Sequence, residues 1–130
     1  MLSVIEKYKL NRAVESYINE LGPALVKRYG GCDQYTVMQV EKTARSLNLG
    51  MQYISYAIAL YRKDESVDTI DLYRIDQGFL DMLREEIAAA YFGGDIAFSA
   101  MSVVDLGRPR GWGGGVHRNW IANIHGKTGF

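Results

Sequence analysis

Apolar residues recur along this 130-residue chain at helical spacing for most of its length. Leu10, Val14, Tyr17, Ile18 and Leu21 stand at i, i+4, i+7, i+8 and i+11, one stripe on a period of 3.6 residues. Gly22-Pro23 predicts an interruption there, with proline opening a second helix that runs to Tyr29 and ends at Gly30-Gly31. Thr36-Val37-Met38-Gln39 is a capping box, flanked by Tyr35 and Val40 at the staple positions. Val37, Val40, Ala44 and Leu47 continue that helix, and Asn48 suits a left-handed terminator.

From Met51 to Tyr61, nine of eleven residues are apolar or aromatic, which predicts a helix buried on all sides at the centre of a bundle. Asp68 and Asp71 suit the first turn of a long helix carrying Leu72, Ile75, Phe79, Met82, Leu83, Ile87 and Ala90, stopped by Gly93-Gly94. Asp95 then caps a short helix bearing Ile96, Ala100, Val103 and Val104, although residues 96–106 are rich enough in β-formers to be a strand. The prediction is an all-α, single-domain bundle of five or six helices over residues 1–106. A glycine-rich, basic C-terminal arm follows over residues 107–130, docked or exchanged between copies rather than a domain of its own.

Composition narrows the function classes. A hydrophobic fraction of 48% suits a packed globular protein, and disorder as the main state is excluded. Fifteen basic residues balance fifteen acidic ones, which does not describe a general polyanion binder. One cysteine excludes a disulfide framework and multi-cysteine zinc sites, and it favours a reducing, cytoplasmic home. The first twelve residues lack a signal peptide's plan, and the uncharged run Leu47–Tyr61 is shorter than a bilayer span.

Charge is segregated along the chain. Residues 1–63 carry nine basic and five acidic side chains, residues 64–105 two and ten, and residues 106–130 four and none. Half of the fourteen glycines fall in the last block, beside Trp112, Trp120 and Phe130. Such an arm either binds single-stranded nucleic acid through Arg108, Arg110, Trp112, Arg118 and Lys127, or folds onto the acidic surface formed by Asp68, Asp71, Asp76, Asp81, Glu85 and Glu86. In the second case Trp112, His117, Arg118, Trp120 and Phe130 form an interaction arm, within one chain or between two.

Two further patterns bear on chemistry. The packing positions of residues 40–59 resemble a helix-turn-helix, with Ala44 at the close approach, Asn48 at the sharp turn, and Leu49, Ile54 and Ala57 buried behind it. Gln52 and Ser55 would then meet bases, while Lys42, Arg45, Arg62 and Lys63 grip phosphates. Cys32 lies ahead of a capped helix and pairs with His117 or His125 in a thiolate–imidazolium reading, that of a small cysteine hydrolase. Gly126-Lys127-Thr128 lacks the earlier glycine of a phosphate loop, and the aspartates from Asp64 to Asp76 miss the spacing of a calcium loop. No cofactor or metal set is expected. The leading expectation is a non-enzymatic interaction or scaffolding protein, a homodimer or a partner-binding subunit. DNA or RNA binding through residues 40–59 and the arm is second.

Overall fold

The computed structural model describes residues 3–64 and 75–107, and among these the chain is all-α. The C-terminal arm lies outside the described residues, as do Asp68, Asp71 and Leu72. Helices α1 (Val4–Ser16) and α2 (Gly22–Tyr29) are joined end to end by a single π turn, Tyr17–Leu21. They make one rod, about 39 Å long at 1.5 Å per residue. Helices α3 (Val37–Ser46), α4 (Ile54–Tyr61), α5 (Gln77–Tyr91) and α6 (Ala100–Leu106) complete five rods. Helix α4 packs against α3, α5 and α6, and is buried from Ala57 through Tyr61. The expected central helix is therefore present.

Capping explains most of the boundaries. Ser3 and Glu6 form a capping box at the start of α1, an S-x-x-E pattern that begins seven residues ahead of the first core leucine, Leu10. Thr36 and Gln39 close the expected box at α3, with amide-to-side-chain distances of 3.0 Å in both directions. Tyr35 and Val40 are fully buried beside it. Asn48 takes φ +58°, the left-handed turn predicted for it, and Gly30, Gly93 and Gly94 end α2 and α5 at positive φ.

Five boundaries or faces depart from the expectations. Gly22-Pro23 does not break the first rod: proline lacks the N–H owed to residue 19, and the widened π turn before it absorbs that loss. Helix α4 starts at Ile54, because Met51–Tyr53 forms a turn in which the Ile54 amide donates to Met51. Helix α5 starts at Gln77, where the Asp76 carboxylate accepts the Phe79 amide at 2.8 Å, so Gly78 lies at the helix start instead of its middle. Helix α6 starts at Ala100 behind a Ser99–Ser102 box, and Asp95 caps only the Ala97 amide of the preceding turn. Within α5 the buried face is Leu80, Leu83, Arg84 and Ile87, and Phe79 and Met82 stand on the exposed side.

Two buried polar contacts hold the rods together. The Tyr61 hydroxyl, at the end of α4, donates to the Tyr17 carbonyl at 2.6 Å, inside the π turn. Gly22 makes room for it: a Cβ there would lie 2.8 Å from the Tyr61 hydroxyl oxygen. Arg84 is the second. Its guanidinium donates to the carbonyls of Ala59 at 2.8 Å, Arg62 at 3.3 Å, Ile96 at 3.0 Å and Phe98. It also lies 3.7 Å above the centroid of the Phe98 ring, which stacks on Phe92 at 4.6 Å. A cation at the carbonyl end of α4 satisfies exposed acceptors and meets the helix dipole favourably.

Alanine in a helix is normally worth about 1 kcal/mol over glycine. Gly22→Ala is expected to reverse that sign and cost roughly 1–3 kcal/mol, because the Tyr61 hydroxyl cannot be accommodated. Tyr61→Phe leaves the Tyr17 carbonyl without its donor, at about 1–3 kcal/mol. Once the hydroxyl is gone, the nearest atoms to a Gly22 Cβ are at ordinary contact distance, 3.4 Å and beyond. Urea denaturation of the double variant should therefore show a loss smaller than the two single losses together. Simple additivity would mean that hydroxyl and Cβ do not compete for one space.

Candidate functional site

An open groove of about 440 Å³ lies between α1 and the turn that precedes α4, lined by Tyr8, Lys9, Arg12, Ala13, Gly50, Gln52 and Tyr53. Helical spacing builds its first wall. Val4, Tyr8 and Arg12 form one i, i+4 ridge, and Ile5, Lys9 and Ala13 form the adjacent one. The lower halves of both ridges line the groove. The upper halves, Val4 and Ile5, are 78% and 65% exposed, and Tyr8 between them and Arg12 is 51% exposed. Leu10, Asn11 and Val14 bury the opposite face of the same helix.

The second wall is pinned from beneath. The Tyr17 hydroxyl donates to the Gly50 carbonyl at 2.6 Å, and the Leu49 amide to Ala44 at 3.0 Å. These bonds fix the turn that carries Gln52 and Tyr53. On the α1 side, Arg12 donates to the Tyr8 hydroxyl at 2.8 Å, with its guanidinium carbon 5.6 Å from the Tyr8 ring centroid. Among the described residues no carboxylate lines the groove, and the charges on its walls are those of Lys9 and Arg12. Chemically it offers two cations, two phenol rings and one amide.

Of the candidate site residues singled out in the sequence that are described, Gln52 alone lines this groove. Ser55 is half-buried in the first turn of α4, and the Tyr56 hydroxyl is taken up by the buried Glu86 carboxylate at 3.0 and 3.1 Å. Ala59, one turn on from Ser55 along α4, is fully buried. Glu86 correspondingly leaves the expected acidic surface, while Asp81 and Glu85 remain on it. Lys42 is exposed on α3, Arg45 pairs with Glu41 at 2.9 Å, Lys63 pairs with Asp33 at 2.7 Å, and Arg62 donates to the Tyr35 carbonyl. Cys32 is half-buried in the extended segment before α3, with its Sγ 3.7 Å from the Gly30 carbonyl oxygen. His117 and His125, and Arg108, Arg110, Trp112, Arg118, Trp120, Lys127 and Phe130, lie outside the described residues.

Tyr8, Lys9 and Arg12 were not singled out by the sequence reading. Their signal is nevertheless present: they sit ahead of Leu10 and Val14 on a helix whose apolar stripe does not include them, yet Val4, Ile5 and Tyr8 are apolar or aromatic. Among the described residues no three His, Cys, Asp or Glu side chains gather as a metal site, and no helix is long and apolar enough to cross a membrane. Fold and groove thus define a small all-α protein with a cationic, aromatic surface site. The chain belongs to a family of unknown function (DUF6559), whose model matches residues 5–130. No curated protein and no solved structure matches it.

Burial raises the pKa of five of the eight described tyrosines. Tyr17 is pushed up to about 12 by desolvation; Tyr35, Tyr61 and Tyr91 move the same way, and Tyr56 is raised by desolvation and then by the Glu86 charge. A raised folded-state pKa means that the unfolded chain loses the proton first. Stability from these groups is therefore complete below pH 10 and falls as pH rises beyond it. Burial lowers Arg84 to about 10, which acts in the opposite sense above that pH, one group against five. The melting temperature should stay flat to about pH 10 and then drop, with much of the tyrosinate absorbance appearing only on unfolding. Full ionisation of all nine tyrosines in the folded state would contradict this.

Proposed function

We propose that the protein is a non-enzymatic interaction module that binds a partner protein through the α1 groove, in the reducing cytoplasm that a lone half-buried Cys32 suits. The partner segment carries carboxylates together with apolar or aromatic side chains. One observation carries this reading: the exposed ridges Val4–Tyr8 and Ile5 run directly into the groove that holds Lys9 and Arg12. Exposed apolar side chains gathered on two successive turns are a surface awaiting cover, and cations at its end select charge and register.

Single-stranded nucleic acid is the second reading, favoured by Tyr8 and Tyr53 beside Lys9, Arg12 and Gln52, since phenol rings stack on bases and cations take phosphates. Val4 and Ile5 separate the two. An acidic, apolar peptide uses them, and a phosphate backbone does not.

Fluorescence anisotropy at low salt, with a labelled random glutamate–tyrosine copolymer beside labelled oligo-dT, tests both. Copolymer binding is expected, weakened about tenfold by Lys9→Glu with Arg12→Glu and to a lesser degree by Val4→Ser with Ile5→Ser. Oligo-dT binding that ignores the Val4 and Ile5 changes would hand the site to the second reading. If neither probe binds, the groove is not a recognition site.

A further inference from the structure

We propose that Tyr17 is the positioning residue of the α1 groove: its hydroxyl, reaching out from the core, holds the Gly50–Tyr53 wall in the shape that binds. The proposal deepens the reading of that groove as a recognition site and rests on it. Gly50, Gln52 and Tyr53 form the groove's second wall, and Gly50 and Gln52 are exposed. Before the wall, the Leu49 amide donates to the Ala44 carbonyl in the last turn of α3; after it, α4 starts at Ile54. Between those two points the segment makes one backbone bond of its own, from the Ile54 amide to the Met51 carbonyl, with a length of 3.2 Å.

Tyr17 meets the wall at both of its ends. Its hydroxyl donates to the Gly50 carbonyl at 2.6 Å, and the Tyr53 backbone N–H acts on the same oxygen. The side chain that does this has little freedom itself. Tyr17 is 1% exposed, and its own carbonyl accepts the Tyr61 hydroxyl at 2.6 Å. A side chain fixed in this way passes its rigidity to an exposed segment without regular structure. A wall that is already formed does not have to be ordered when a partner arrives. Tyr35 supplies the matched control. It too is fully buried and donates from its hydroxyl to a glycine carbonyl at 2.6 Å, but that glycine is Gly30, at the end of α2 and not among the groove's lining residues. Replacing either tyrosine by phenylalanine removes one such bond, so general loss of stability is common to both variants.

Two measurements on the full chain, unmodified and as Tyr17→Phe and Tyr35→Phe, test this. Backbone amide relaxation by NMR reads the wall directly, and anisotropy with the labelled glutamate–tyrosine copolymer reads the groove. Tyr17→Phe should lower the order parameters of Gly50–Tyr53 from about 0.85 to below about 0.6, while Tyr35→Phe leaves them high. Tyr17→Phe should also weaken copolymer binding about fivefold, the equivalent of one hydrogen bond, and Tyr35→Phe should leave it unchanged. Undisturbed order parameters in Tyr17→Phe would overturn the proposal whatever the copolymer does. Equal losses of binding in the two variants would overturn it as well, since general destabilisation then accounts for both. A loosened wall with undiminished binding would show that the groove does not use the wall, and the proposal would fall. If the unmodified protein binds no copolymer, the groove reading fails by itself, and the order parameters alone decide whether Tyr17 holds the wall.

Discussion

The fold depends on one buried hydroxyl. Tyr61 ends the central helix α4 and donates a hydrogen bond from its hydroxyl to the Tyr17 carbonyl in the middle of the longest rod. An α-helix carbonyl normally has its own donor four residues on; here the π turn and Pro23 have altered the ladder. Gly22, next in line, has no side chain to stand in the way. Deviation in one rod thus becomes the attachment point of another. The Tyr61 carbonyl accepts the Tyr35 amide, the Tyr35 hydroxyl donates to Gly30, and the Tyr17 hydroxyl donates to Gly50. Three tyrosines therefore tie the end of α2, the start of α3 and the turn before α4 to the same core.

That linkage is also what shapes the groove. Gly50, Gln52 and Tyr53 belong to a turn with no regular structure of its own, and the Tyr17 hydroxyl holds it against α1. Arg84 performs the matching task at the opposite end of α4, where it gathers two carbonyls from the end of that helix, Ala59 and Arg62, and two from the α5–α6 connection, Ile96 and Phe98. Buried polar groups cost several kcal/mol when unpaired, so each of these side chains permits one arrangement of its neighbours and penalises others. Apolar burial supplies most of the driving force; these contacts select which helix meets which.

Much of the fold was legible from local pattern. The Thr36–Gln39 box, the left-handed Asn48, the Gly93-Gly94 stop and the burial of Ala57–Tyr61 all follow from residue type and spacing. The boundaries at 54, 77 and 100 did not, because each is set by a side-chain cap or turn that competes with an equally plausible neighbour: Asp76 against Asp68, Ser99 against Asp95. Arg84 was legible in principle, four residues after Leu80 and three before Ile87, but a charge on an apolar stripe carries no sign of its partners. Of the candidate site only Gln52 had been picked out, since a groove between residues 8–13 and 50–53 is a product of packing that no spacing encodes.

Sequence alone determined the helical class, the capped start of α3, the central position of α4 and the charge blocks, because each rests on residue types or on interactions between residues a few positions apart. Tertiary structure decided the rest. It kept the first rod continuous through Pro23, turned Phe79 and Met82 outward, withdrew Glu86 from the surface, and brought Arg12 and Gln52 to one groove. In every such case the deciding partner lies dozens of residues away or on another helix. Space and hydrogen-bond satisfaction among distant groups overrule a preference that is worth a fraction of a kcal/mol locally.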